Sequence, residues 1–360
     1  MIVNATNIGR NLSGIGRYSL GISEFLLKHW GLPLELTLNA RGSVHFNQYK
    51  NDQRIKIKTG LMSPDYGFRG HFLKLLYSNK PSFSNSNDIL FTTSALEGSL
   101  FNKRQIISLQ DCIPYVFPEY YRGQHFFFKT ISPVILKNSL RIITCSNFSK
   151  SFIIKTYKVP EQKISVIYNG VNKINLDGNL NTPKKDYILY VGRSSPIKNL
   201  GRLIKAFKII INKYKLGLKL VLTCQKKDVP FNWIKGVENH IEFAGYVSED
   251  RLAKLYQEAL LFAFPSLYEG FGFPPLEAMA HGCPTLVSNV TSLPEVCGDA
   301  SFYVDPYDEE SIADGIYQVA TDSTLRETLI QKGLKRAKLF TWEESGRKHI
   351  KVFEEILNHS

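Results

Sequence analysis

Glu269 and Glu277 stand in the segment FPSLYEGFGFPPLE (264–277) with seven residues between them. Such spacing arises by chance in a chain with this many Glu, so the neighbours carry the argument. Gly270 and Gly272 let backbone approach a ligand closely, and Pro274 and Pro275 suit the first turn of a helix, where a missing N–H costs nothing. The run LLFAF just before them reads as a buried strand. A strand, a glycine loop and a helix N-terminus together make an anion site. Carboxylates bracketing it can accept hydrogen bonds from ligand hydroxyls, or can simply cap the helix.

A second constellation, YVGRSSPIKN (190–199), again runs from a strand into a glycine and a helix start. Arg193 and Lys198 then place two cations at the C-terminal edge of a sheet, where open α/β folds bind ligands. Arg forks onto phosphate oxygens and Lys acts as a point charge, so the two suit a diphosphate. The third is Gly14-Ile15-Gly16-Arg17-Tyr18, which is near a dinucleotide fingerprint but has Ser19 where a third glycine belongs. It reads as a glycine loop over a first helix ending at about His29. None of the eight His falls at metal-ligand spacing, and His281 and His349 read as packing or capping residues.

The elements that must position these groups are short β-branched runs alternating with helical patterns, the sign of βαβ units on parallel sheets. IVNAT, LELTL, DILFT, QIISL, RIITC and ISVI serve in the first half, and DYILYVG, LKLVLTC, HIEFAG, LLFAF, PTLVS and SFYVD in the second. The expected fold class is α/β, with two Rossmann-like doubly wound domains facing across a cleft. Residues 1–170 form the first domain, 171–185 a polar linker and 186–340 the second domain. Residues 341–360 form an amphipathic helix able to cross back to the first.

The 360 residues hold 43% hydrophobic and 21% charged side chains, which excludes bulk disorder. Five scattered cysteines without C-x-x-C spacing argue against a disulfide framework or a zinc site, and a reducing cytoplasm fits them. The start lacks a secretory signal pattern, and no apolar run approaches the roughly 18 residues needed to span a bilayer. The net charge of +13 is uneven: residues 1–170 hold 21 basic and 9 acidic side chains, the remainder 24 and 23.

Taken in order, these segments resemble a retaining glycosyltransferase of family 4, built on the two-Rossmann GT-B architecture. The likeness runs through GIGRY, SLQDCIPYVFPEYY, RIITCSNFSK, KISVIYNGV, YVGRSSPIKN, AGYVSEDRLAKLY, FPSLYEGFGFPPLEAMAHGCP, SLPEVCGDASFYVDP and FTWEES. The resemblance implies a nucleotide-diphospho-sugar donor held mainly by the second domain, and a saccharide or lipid-linked acceptor held by the first. It implies that Arg193 and Lys198 grip the diphosphate, Glu269 the donor sugar and Glu277 the ribose. Backbone at Gly270, Phe271, Gly272 and Phe273 would add donor contacts, with Gly14 and Gly16 in the glycine loop and Val247 beside the base. Asp111 is a candidate for orienting the acceptor, or else a loop-capping residue.

That family often carries His before Asp in the segment matching Ser108-Leu109-Gln110-Asp111; here Gln110 stands there. The change removes an ionisable group, although an amide still hydrogen-bonds a sugar or its leaving oxygen. No D-x-D motif occurs, so the expectation is metal-independent stabilisation of the leaving diphosphate, with no metal and no cofactor. The setting expected is bacterial surface polysaccharide synthesis, in the cytoplasm and peripheral on the inner face of the membrane. An anionic membrane surface is the expected partner of the basic half, through 68–76 and the aromatic runs at 120–129. Competing readings are an NAD-dependent oxidoreductase using Gly14, a nucleic-acid binder using the basic half, and a catalytically silent partner of another transferase. No recognised nucleic-acid module accompanies the charge, so no nucleic-acid partner is expected.

Overall fold

The computed structural model describes residues 1–10, 12–49, 51–60, 68–80, 88–172 and 182–358, with the side chains of 68–72 outside the description. The expected linker lies largely at 173–181, also outside the described residues. The chain divides into two compact units, Met1–Gly170 with Thr341–Ser360, and Val171–Phe340.

The first unit carries a parallel sheet of seven strands: β1 (Ile2–Asn4), β2 (Leu34–Asn39), β3 (Ile55–Gly60), β4 (Leu90–Thr92), β5 (Gln105–Ser108), β6 (Arg141–Thr144) and β7 (Ile164–Val166). Their order is β3-β2-β1-β4-β5-β6-β7. The second unit carries six parallel strands: β8 (Lys185–Tyr190), β9 (Lys219–Leu222), β10 (Ile241–Phe243), β11 (Ala259–Phe264), β12 (Thr285–Ser288) and β13 (Phe302–Val304). They run β10-β9-β8-β11-β12-β13. In both sheets the order reverses after the first strand of the unit, which creates a switch point between β1 and β4 and another between β8 and β11. Ligands of open α/β sheets bind outside the strand C-termini at such points.

Helices cover both faces of such sheets, so central strands are largely buried and mostly apolar. All six residues of β11, Ala259–Phe264, are buried. The helix Leu200–Asn212 lays Leu203, Ile204, Phe207 and Ile210 against this sheet. The strand β3 was not among the expected ones: its sequence IKIKTG alternates with lysine at the sheet edge, where only one neighbour pairs with it.

The last helix, Trp342–Asn358, packs on the first, Gly14–His29, where small residues allow close approach. A Cβ at Gly21 would stand 2.6 Å from the Trp342 ring, and one at Gly346 would strike Phe25. Phe353 completes the contact against Phe91, with ring centroids 4.9 Å apart.

The basic face expected to meet a membrane is partly corrected. Lys74 is not a surface cation: it is 3% exposed and ion-paired at 3.0 Å with fully buried Glu97. Phe127 and Phe128 belong to the core, whereas Tyr120, Phe126, Leu73 and Leu76 are exposed. Phe68 to Phe72, the other half of the expected segment, have side chains outside the described residues. All five cysteines are buried and free, and burial pushes the thiols of Cys283 and Cys297 up to about 12.

Candidate active site

Lys198 and Glu269 are 71 positions apart in sequence, yet they meet because each follows one of the two strands flanking the switch point of the second sheet. After β8 the chain turns through Pro196–Lys198 into Asn199, a left-handed residue with φ +60°. Its side-chain amide repays that strain by donating to the carbonyls of Pro265 (2.8 Å) and Pro306 (2.7 Å). The loops following β8, β11 and β13 are tied together at one residue. Leu267 N–H donates to the Ile197 carbonyl at 2.8 Å and fixes their register.

On that frame the Lys198 ammonium sits 2.5 Å from Glu269 Oε1 and 5.2 Å from the centroid of the Phe264 ring. The Ser266 hydroxyl donates to the same carboxylate oxygen at 2.6 Å. Glu269 is 7% exposed. A carboxylate so buried needs this pairing, because an unpaired ion out of water is costly. Lys198 keeps about a quarter of its side chain exposed, and an ammonium has three hydrogens of which Glu269 uses one.

The glycine segment after Glu269 is held from behind. Thr291 Oγ1 accepts from Glu269 N–H (3.2 Å), and the Ser292 hydroxyl reaches the carbonyls of Glu269 (2.9 Å) and Phe271 (3.1 Å). Gly272 adopts φ +110°, and a Cβ there would stand 2.7 Å from Leu293 Cδ2, so glycine is required twice over. It leads into the helix Phe273–Ala280 with prolines in its first turn, as expected from the sequence. Phe271 is buried with its ring edge-on to Phe273, centroids 5.4 Å apart, and Gly270 lies between it and Glu269.

Glu277 sits one turn along this helix, half-buried, and accepts from the Tyr256 hydroxyl at 3.4 Å. The carbonyl of the same residue receives His281 Nδ1 at 2.7 Å, and burial pushes the His281 pKa down to about 4. Arg193 is exposed, and none of its side-chain contacts is an ion pair among the described residues; its carbonyl accepts from Tyr190. Val247 is half-buried just before the helix Glu249–Glu258, which Ser248 caps through Arg251 N–H.

The remaining candidates belong to the first unit. Gly14 and Gly16 form the first turn of the helix Gly14–His29 itself, with Ser13 Oγ capping Gly16 N–H at 3.1 Å. Asp111 Oδ1 accepts from Ile113 N–H at 3.0 Å, a turn-stabilising contact of the loop after β5. Gln110 is buried beside it, hydrogen-bonded to Ser108 and Asn169. Asn199, Ser266, Thr291 and Ser292 were passed over in the sequence reading; the Thr-Ser-Leu-Pro run ahead of a short helix was the available signal for two of them.

Among the described residues no group of three or more His, Cys, Asp or Glu side chains is placed to hold a metal ion. No described helix is long and apolar enough to cross a membrane.

Residues 172–336 match the family described as Glycosyl transferases group 1, and residues 40–173 match Glycosyltransferase Family 4. The chain is 31% identical over 268 residues to O-antigen chain mannosyltransferase B of Escherichia coli, covering 70% of each protein. It is 35% identical over 214 residues to O-antigen chain mannosyltransferase RfbU of Salmonella typhimurium, covering 58% of this chain and 59% of that one. Among solved structures it is similar to Anabaena HepE in complex with UDP and glucose, with TM-score 0.73 and 16% identity over 98% of this chain and 99% of that one. Likeness at that identity speaks for the fold, which is GT-B. The chain belongs to the glycosyltransferases of family 4 type, its first part matching the Glycosyltransferase Family 4 model and its second the Glycosyl transferases group 1 model.

Proposed function

We propose that this protein transfers a sugar, with retention of configuration and without a metal ion, from a nucleotide-diphospho-sugar to a saccharide or lipid-linked saccharide acceptor. The setting is the assembly of a bacterial surface polysaccharide such as an O-antigen, capsule or exopolysaccharide. The O-antigen mannosyltransferases among its relatives favour mannose as the sugar. The observation that carries the reading is the Lys198–Glu269 couple at the switch point of the second sheet, beside a glycine loop and a helix start.

Cleaving the bond between the anomeric carbon and phosphate leaves negative charge on the departing diphosphate. Lys198, exposed Arg193 and the N-terminus of the helix Phe273–Ala280 supply fixed positive potential for that charge. Glu269, held by Lys198 and Ser266, accepts hydrogen bonds from the donor sugar's hydroxyls, and Glu277 does the same for the ribose. Val247 borders the base. The acceptor oxygen bonds to the anomeric carbon on the face the phosphate leaves, and its proton passes to the departing phosphate oxygen. Asp111 orients the acceptor. No cofactor takes part.

The basic excess of residues 1–170 supports a peripheral position on an anionic membrane, on the cytoplasmic side where nucleotide sugars are made. The test is transfer by the purified chain from a panel of nucleotide-diphospho-sugars, mannose among them, to lipid-linked saccharides. Turnover of one donor supports the reading; donor binding with neither transfer nor hydrolysis would place the chain as a silent partner of another transferase.

A further inference from the structure

Four non-glycine residues among those described adopt a left-handed φ: Lys158 (+53°), Asn199 (+60°), Lys215 (+57°) and Thr291 (+60°). Lys158 ends the helix Asn147–Tyr157 and Lys215 follows the helix Leu200–Asn212, places where a left-handed residue is common. Asparagine enters this region readily, because its short polar side chain bonds locally. Thr291 fits neither case. It is β-branched, and it lies in the loop after β12, ahead of the helix Leu293–Cys297 rather than behind one. Two γ-substituents crowd the backbone in that conformation, so neighbouring contacts must hold it there.

Those contacts converge on Glu269. Thr291 Oγ1 accepts from Glu269 N–H at 3.2 Å, and the next side chain, fully buried Ser292, donates to the Glu269 carbonyl at 2.9 Å and the Phe271 carbonyl at 3.1 Å. Consecutive side chains of an extended chain point to opposite sides, whereas the turn at Thr291 brings both hydroxyls to one residue. The N–H and C=O of a residue flank its Cα in two planar peptide units, so holding both fixes the direction in which its Cβ leaves the backbone. The far end of the Glu269 side chain is held by Lys198 and Ser266, both on Oε1. With the main chain and Oε1 fixed, the direction of Oε2 is fixed as well.

We propose that Thr291 is a positioning residue whose left-handed turn aims Glu269, so that Oε2 accepts from a hydroxyl of the donor sugar, and that the fold gives up stability to keep this turn. The inference rests on the reading of Glu269 as the residue that takes that sugar. Glycine takes the same φ without strain but brings no hydroxyl, and serine brings the hydroxyl without the branch. Stability and turnover should therefore part company at this one position.

On the full chain, Thr291→Gly should melt no more than about 2 °C below the wild type, while its transfer kcat falls about tenfold. Whichever of UDP, GDP and ADP binds the wild type in calorimetry should bind this variant within about twofold, because Glu269 takes the sugar and not the diphosphate. Thr291→Ser should recover kcat to within about twofold of wild type. A residue that merely held the fold would give a different pattern: Thr291→Gly would melt well below the wild type, with kcat and diphosphate affinity falling together. That pattern, full kcat in Thr291→Gly, or a Thr291→Ser as slow as Thr291→Gly overturns the proposal. A wild-type chain that transfers nothing defeats the functional reading instead, and the link to Glu269 is then read by NMR on chain labelled with nitrogen-15 glutamate. Thr291→Gly should speed hydrogen exchange at the Glu269 amide at least about tenfold and Thr291→Ser should not; equal exchange in the wild type and Thr291→Gly overturns the proposal.

Discussion

Lys198 and Glu269 neutralise each other at 2.5 Å, so a diphosphate bound beside them would share an ammonium that is already oriented. That preorganisation is what electrostatic stabilisation of a leaving group requires, since no dipole has to turn at the moment of reaction. Lys198→Ala should therefore lower the transfer rate by roughly two orders of magnitude, as loss of one strong electrostatic contact does elsewhere. Glu277→Ala should instead weaken nucleotide-sugar binding with less effect on turnover, because its hydrogen bond from Tyr256 places it apart from the Lys198 couple. Steady-state kinetics on the two variants separate these effects, and identical changes in kcat and KM for both would remove the division of labour. The candidate pair was legible in the sequence through its glycines, prolines and preceding strands. Its mutual contact was not, since nothing local in the sequence says that loops 71 positions apart leave neighbouring strands.

At the scale of elements, the strands were legible where they are buried on both faces, as in β8 and β11, and missed where the pattern is diluted, as in the lysine-bearing edge strand β3. Lys74 shows the same limit. In sequence it is one more cation in an apolar stretch, whereas the fold seals it against Glu97. Lys74→Ala should cost about 3–5 kcal/mol of stability by leaving a buried carboxylate unpaired, measurable in urea unfolding. A loss under about 1 kcal/mol would mean that the buried pair adds little to the stability of the fold. The helix-borne imidazoles of His281 and His349 give a pH signature: both are held near 4 against 6.5 for a free imidazole. Between those values the unfolded chain binds more protons, so stability is full above pH 6.5 and falls as pH drops toward 4. At pH 5 the loss should be about 2 kcal/mol for His349, with less from half-buried His281. Thermal melts at pH 7.5 and 5 check this, and His349→Gln should flatten the slope.

For the whole molecule, the chain order explains why residues 341–358 matter to the first unit: after the second sheet is complete, the chain returns to lay its last helix against Gly21 and Phe25. The sequence showed that helix but not its partner, because an amphipathic stripe does not name the face it will cover. The basic excess of the first unit should appear as binding to anionic vesicles that weakens as salt rises, attraction being screened within about 8 Å at physiological ionic strength. Equal binding to neutral and anionic vesicles would leave that charge without a membrane role. The central claim concerns the reaction itself. The purified chain is given nucleotide-diphospho-mannose and a lipid-linked saccharide in excess EDTA, and the new glycosidic bond is assigned by NMR. The account predicts undiminished transfer with the anomeric configuration of the donor preserved. Activity lost on chelation and restored by magnesium or manganese, or a product of inverted configuration, would contradict it.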